Sequence, residues 1–184
     1  GGKVIGVDMT KEMIAKAEQN NSKLGYENVE FRFGDIEDLP LANNLADVIV
    51  SNCVLNLVPD KQKAFSEIYR TLKPGAHFCV SDIVIKGELY PELKKSGEMY
   101  AGCVAGAIQQ QDYLNMIKDA GFINTEIKKT KIIELPDDVL LQYLDKTQLL
   151  DYKSSGVGIF SITVVAEKPI DQLKGCCDDS CCKN

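Results

Sequence analysis

The chain is poor in histidine and in basic charge: His77 is its only histidine, and 21 Lys and Arg stand against 27 Asp and Glu, for a net charge of -6. An excess of acid argues against a nucleic-acid partner, because proteins that bind a phosphate backbone concentrate Lys and Arg on one face. No apolar run approaches the ~20 residues needed to span a bilayer, and no signal-peptide pattern is present. A membrane span is therefore not expected, and the cytoplasm is the expected compartment. His77 opens an apolar run that reads as an interior strand, which suits a structural rather than a catalytic role. The sequence begins Gly1-Gly2-Lys3 without an initiating methionine and enters a strand at once, so an upstream segment is expected.

The 184 residues, 45% of them hydrophobic and 26% charged, are enough for one core and too few for two. Seven cysteines, an odd number, fit chemistry better than a disulfide framework, which belongs mainly to small secreted domains. Cys79, inside His77-Phe78-Cys79-Val80, reads as a small buried hydrophobe.

Strand and helix signals alternate along the chain. Val4 to Asp8 is a β-rich run, Thr10 offers a helix N-cap, and Gly25 stops that helix. Val29 to Phe33 alternates as a strand and breaks at Gly34-Asp35. Asp47 to Asn52 is nearly continuous in apolar residues, as in a strand covered on both faces. Asp60 can cap a helix that buries Ala64, Phe65, Ile68 and Leu72, until Lys73-Pro74-Gly75 turns the chain into a strand from His77 to Ile85. A helix from Gln111 to Ala120 and strands at Thr125 to Thr130 and Ile159 to Glu167 follow; the acidic stretch between these strands is partly helical and is expected to pack on the sheet. This order predicts an α/β fold with a doubly wound, mostly parallel sheet, whose ligands sit at the carboxyl ends of the strands.

Asp8, Asp35 and Asn52 fall at such ends. Asp8 is suited to accept from two ribose hydroxyls, or else caps a helix. Asp35 could accept from an adenine amino group while the backbone N–H of Ile36 meets a ring nitrogen, or else serves the turn. Together with Leu72-Lys73-Pro74-Gly75 before the next strand, they resemble the Rossmann-like class I S-adenosylmethionine-dependent methyltransferases. The resemblance implies Asp8, Met9, Asp35, Ile36 and Asn52 as cofactor-binding residues. It also implies that the first strand and glycine-rich loop of the cofactor cradle lie before Gly1, so that this chain is N-terminally truncated. Residues 1–170 would then be the methyltransferase domain and residues 171–184 a flexible tail.

Two further motifs narrow the family. Ser51-Asn52-Cys53-Val54-Leu55-Asn56-Leu57-Val58-Pro59-Asp60-Lys61 and Tyr100-Ala101-Gly102-Cys103-Val104-Ala105-Gly106-Ala107 resemble the arsenite S-adenosylmethionine methyltransferases. That likeness implies methyl transfer to thiol-bound trivalent arsenic in arsenic detoxification, with Cys53 and Cys103 as arsenic-binding, catalytic thiols. It also implies a third thiol upstream and a thiol reductant such as glutathione or thioredoxin. Soft thiolates suit trivalent arsenic better than carboxylate or imidazole. Three sulfurs leave its lone pair pointed at the sulfonium methyl, so no general base is needed. Gly102 and Gly106 allow close backbone approach beside Cys103. The tail pairs Cys176-Cys177 and Cys181-Cys182 could capture a thiophilic metalloid, exchange disulfides, or do neither. Two other functions remain open at this point. One is methyl transfer to a small organic acceptor of the quinone or sterol type; the other is metalloid binding without catalysis.

Overall fold

Short β-branched runs punctuated by Gly, Pro and Asp dictate an alternation of strand and helix, and a computed structural model shows that alternation over residues 2–89 and 106–170, the residues it describes. In order come β1 (Val4–Asp8), α1 (Lys11–Leu24), β2 (Val29–Phe33), β3 (Ala46–Asn52), a single 3-10 turn (Leu55–Leu57) and α2 (Lys61–Thr71). Then follow β4 (Leu72–Lys86), α3 (Gln110–Asp119), β5 (Ile123–Ile132), α4 (Asp137–Leu140), α5 (Lys146–Ser155) and β6 (Gly158–Glu167).

The strands form a two-stranded ladder, β1-β2, and a four-stranded one, β3-β4-β6-β5. β1 with β2 and β3 with β4 are parallel, whereas β6 runs antiparallel to both of its neighbours. The expected Rossmann-like α/β sheet is present, with mixed rather than mostly parallel pairing, because the last strand enters between β4 and β5 against their direction. β1 and β3 share no ladder among the described residues.

One apolar cluster lies where α2 and α3 cover β4. Ala64, Phe65 and Ile68 from α2 and Tyr113 and Ile117 from α3 meet Phe78 and Val80. Phe65 and Tyr113 stack edge to face at 5.3 Å, as do Phe78 and Phe122 at 4.7 Å. Each buried aromatic of this kind is worth about 1.5–3 kcal/mol. A second cluster joins Ile83, Ile85 and Ile159 to Leu135, Leu140, Leu144 and Leu149. The acidic stretch before β6 thus packs on the sheet. Asp60 caps α2 as its sequence predicts, accepting from Lys63 N–H at 2.9 Å.

Five local expectations change. Thr10 occupies the N-cap position of α1 without a side-chain cap bond. Lys73-Pro74-Gly75 does turn, with Gly75 at φ 78°, but as a bulge inside β4, where Ala46 pairs with Leu72 and Val48 with His77. Among the described residues β3 is covered on one face only, Val50 being 75% exposed on the other. Cys79 is half-buried and His77 exposed, because β4 presents that face to a thinner cover.

Lys168, just past β6, is buried. Its Nζ donates to Leu72 O at 2.8 Å, Tyr69 O at 2.9 Å and Asn44 Oδ1 at 2.7 Å. The ammonium meets the carbonyls at the C-terminal end of α2, where the helix dipole favours a cation. No helix among the described residues is long and apolar enough to cross a membrane.

Candidate functional site

The loops after β1, β2 and β3 leave the sheet at its carboxyl edge. Asp8 ends β1 opposite Phe33, and Gly34 N–H donates to Asp8 O at 3.0 Å. A Cβ on Gly34 would lie 2.5 Å from the Pro40 ring, so only glycine lets this loop fold back on β1. Asp8 Oδ1 accepts from Thr10 N–H at 2.7 Å, and Asp35 Oδ1 from Glu37 N–H at 2.9 Å. Each aspartate therefore commits one oxygen to its own turn, as the alternative reading of Asp35 expects, whereas Asp8 does not cap α1, whose N-cap is Thr10; each turn holds its carboxylate at the edge. Met9 is exposed beside Asp8, and Ile36 is half-buried against the main core.

The loop after β2 is tied to the loop after β3. Asp60 N–H donates to Glu37 Oε1 at 2.9 Å, and Leu39 N–H to Glu67 Oε2 on α2 at 2.8 Å. Glu67 is also held by Arg70, whose guanidinium reaches Leu39 O and Leu41 O, and this bond keeps the Glu67 carboxyl below the usual carboxylate range. Asp8 and Asp35 are thus brought together by β1-β2 pairing, and the Asp35 loop meets the Asn52-Cys53 loop through α2.

At the end of β3, Asn52 is exposed and Cys53 half-buried. Cys53 has φ 57°, the left-handed region that Asn tolerates and most side chains avoid. Its N–H still donates to Ser81 O at 2.8 Å, and its Sγ lies 3.9 Å from Asn52 Oδ1. The chain turns out of the sheet at this residue. Backbone strain of this kind costs about 1–3 kcal/mol and persists where the surroundings enforce it.

Beneath the turn lies a buried polar group that the sequence reading passed over. Asn56, 2% exposed, donates from Nδ2 to Ile83 O at 2.7 Å and accepts from Ile83 N–H at Oδ1, 2.8 Å. Lys61 Nζ donates to Val58 O at 3.2 Å and to Asn56 O at 3.4 Å. Asp82, 1% exposed, accepts from Tyr113 Oη–H at 2.6 Å through Oδ2, while its Oδ1 finds no partner within hydrogen-bonding geometry among the described residues. Burial raises the Asp82 pKa to about 6, against the opposing pull of Tyr113, Asn56 and Lys61. Burial and the neighbouring Asp82 charge raise the Tyr113 pKa, and burial lowers that of Lys61. One signal could have found this group: a polar residue interrupting an apolar run, as Asn56 does in Val54 to Val58 and Asp82 does in Val80 to Ile85.

Gly106 packs directly on Asn56: a Cβ there would stand 1.6 Å from Asn56 O. The segment it opens runs along β4, with Ile85 N–H donating to Ile108 O at 2.9 Å. Cys103, Cys176, Cys177, Cys181 and Cys182 lie outside the described residues. Among the described residues no three His, Cys, Asp or Glu cluster closely enough to hold a metal ion.

Residues 1–121 match a family described as a methyltransferase domain. The chain is similar to the arsenite methyltransferase of Halobacterium salinarum, at 39% identity over 168 residues, which are 91% of this chain and 41% of that protein. It is similar to the human arsenite methyltransferase at 34% identity, over 76% of this chain and 40% of that one. Among solved structures it is similar to an arsenic(III) S-adenosylmethionine methyltransferase from Chlamydomonas reinhardtii. That likeness has a TM-score of 0.71 and 30% identity, over 94% of this chain and 57% of the other. The chain therefore spans about two fifths of the length of the curated relatives it matches.

Proposed function

The chain belongs to the methyltransferase-domain family, and from that premise we propose that it acts in an arsenite methyltransferase, moving a methyl group from S-adenosylmethionine to thiolate-bound trivalent arsenic. The observation that carries this reading is Cys53, held at φ 57° where β3 reaches the carboxyl edge, within a sequence similar to arsenite methyltransferases over most of its length.

The residues present fit the cofactor in part. Asp8 and Asp35 place two carboxylates on one edge, each with an oxygen beyond the one its turn uses, and Asn52 adds an amide next to the thiol. Asp8 would hold the ribose, Asp35 and Ile36 N–H the adenine, and Met9 and Asn52 would line the remainder. When bound, S-adenosylmethionine supplies an electrophilic methyl on sulfonium sulfur. The chain's own part is to bind and orient: the Cys53 thiolate, with Cys103, captures the soft arsenic centre and fixes its lone pair's direction. A reducing thiol such as glutathione or thioredoxin would keep arsenic trivalent and the cysteines available. The four tail cysteines could pass the metalloid on, and the cytoplasm is the compartment we assign.

We further assign residues 1–170 to the methyltransferase domain and residues 171–184 to its tail. The first strand and glycine-rich loop would lie upstream and occupy the break between β1 and β3. In support, those two strands share no ladder among the described residues, which also leave Val48 and Val50 exposed beside the break.

The test is arsenic speciation after incubating a form that carries the proposed upstream strand with arsenite, S-adenosylmethionine and a reducing thiol. A Cys53→Ser variant is run beside it. Methylated arsenic from the parent and none from the variant is the expected result. Equal yields from the two would remove Cys53 from the reaction, and no methylated arsenic from either, with the cofactor bound, would favour an organic methyl acceptor.

A further inference from the structure

β3 stops pairing at Asn52, opposite Ser81, while β4 continues to Lys86. In a parallel ladder, the next β4 residue to turn its N–H and C=O toward β3 is Ile83, and a longer β3 would meet both with peptide groups. Here the chain has already left the sheet at Cys53. Both Ile83 groups are met instead by one side chain, the carboxamide of Asn56, at 2.7 and 2.8 Å.

A primary amide is the side chain that offers a donor and an acceptor in the same plane as a peptide does. An ionised aspartate offers only acceptors, leucine offers neither, and glutamine would need room for another methylene in a site already closed. Asn56 O faces Gly106 on one side and Lys61 Nζ on the other, so the residue is fixed through its backbone as well. Its side chain ends where the β3 peptide would have been, three residues beyond the one non-glycine left-handed cysteine of the turn.

We propose that Asn56 is a positioning residue for Cys53: as a surrogate peptide for β4, it lets the chain turn outward at Cys53 and holds the backbone that presents the thiol. The role acts through Cys53, not on substrate. Its link to arsenic rests on the reading of Cys53 given above, and the experiment separates the two.

Alkylation by iodoacetamide is followed for each cysteine-containing peptide by mass spectrometry, in the parent, Asn56→Ala and Asn56→Asp. Cys79, half-buried on β4, reports general loosening of the sheet. Asn56→Asp loses one of the two hydrogen bonds to Ile83 and Asn56→Ala both, which predicts a change of about tenfold or more in the Cys53 rate, with Cys79 moving less than about twofold. Should Asn56→Ala fail to fold, Asn56→Asp decides, since it keeps the shape and the acceptor for Ile83 N–H. Cys53 and Cys79 changing in parallel, or Cys53 not changing, would overturn the proposal. Repeating the series with arsenite as protectant reads the other claim: Asn56 variants should need about tenfold more arsenite to shield Cys53. A parent whose Cys53 arsenite never shields would refute the arsenic reading, while the difference in alkylation rates would still uphold the positioning role.

Discussion

A cysteine at φ 57° bears a cost that a glycine at the same place would not. Cys53→Gly should therefore be more stable than Cys53→Ala by about 1 kcal/mol, measured by denaturant midpoint, even though glycine ordinarily weakens a fold. Equal stabilities would mean that the turn relaxes when the thiol is removed. Asp82 yields a second residue-scale expectation, in pH. Its folded pKa, about 6, lies above the ordinary 3.8, so the folded protein keeps a proton that the unfolded chain releases. Stability should then fall as pH rises from about 4 to 6 and level off above, by up to about 3 kcal/mol for this group. Asp82→Asn should flatten that segment of the stability profile; an unchanged slope would assign it to other groups. At this scale the sequence was a fair guide to what ends a strand and a poor one to what lies under it. Asp8, Asp35 and Cys53 stood out because each follows an apolar run at a predicted strand end. Asn56, Lys61, Asp82 and Tyr113 did not, because burial of a polar side chain depends on partners distant in sequence: Asp82 meets Tyr113 across 31 residues.

Among the elements, local signals gave existence and type where side-chain periodicity was strong. The buried face of α2 and the strand at β2 read directly from spacing, and Gly25 at φ 72° closed α1 as read. Direction and cover were not legible. Nothing in Ile159 to Glu167 reveals that β6 runs antiparallel between β4 and β5, and β3 reads as a doubly covered strand although one face is open. Two junctions between elements give further expectations. Replacing Lys168 by Met removes the donor from three acceptors, Leu72 O, Tyr69 O and Asn44 Oδ1, and should cost about 3 kcal/mol, seen in thermal or urea unfolding. Gly106→Ala must push the segment before α3 away from Asn56 O, at a cost of about 3 kcal/mol. A Gly106→Ala protein as stable as the parent would show that this contact yields easily.

For the whole molecule, the two ladders of the described residues differ in firmness. α1 buries none of its residues, whereas β4 and β6 are lined with fully buried ones from Phe78 to Val84 and from Ile159 to Ala166. Native-state hydrogen exchange should find amides of β4 and β6 protected near the global limit, and those of β1 and β2 exchanging through smaller openings. Uniform protection would mean that the loop ties through Glu37, Glu67 and Arg70 make the two ladders one cooperative unit. The placement of β6 also governs the order in which the protein can assemble as it is made. Gly158, the first residue of β6, follows Lys86, the last of β4, by 72 residues. At ordinary ribosomal speeds β4 waits roughly 4 to 14 s for that partner. Over that interval Val80 and Val84 have no β6 partner, and the nascent chain needs either a chaperone's cover or the α2 and α3 helices to keep it from its neighbours.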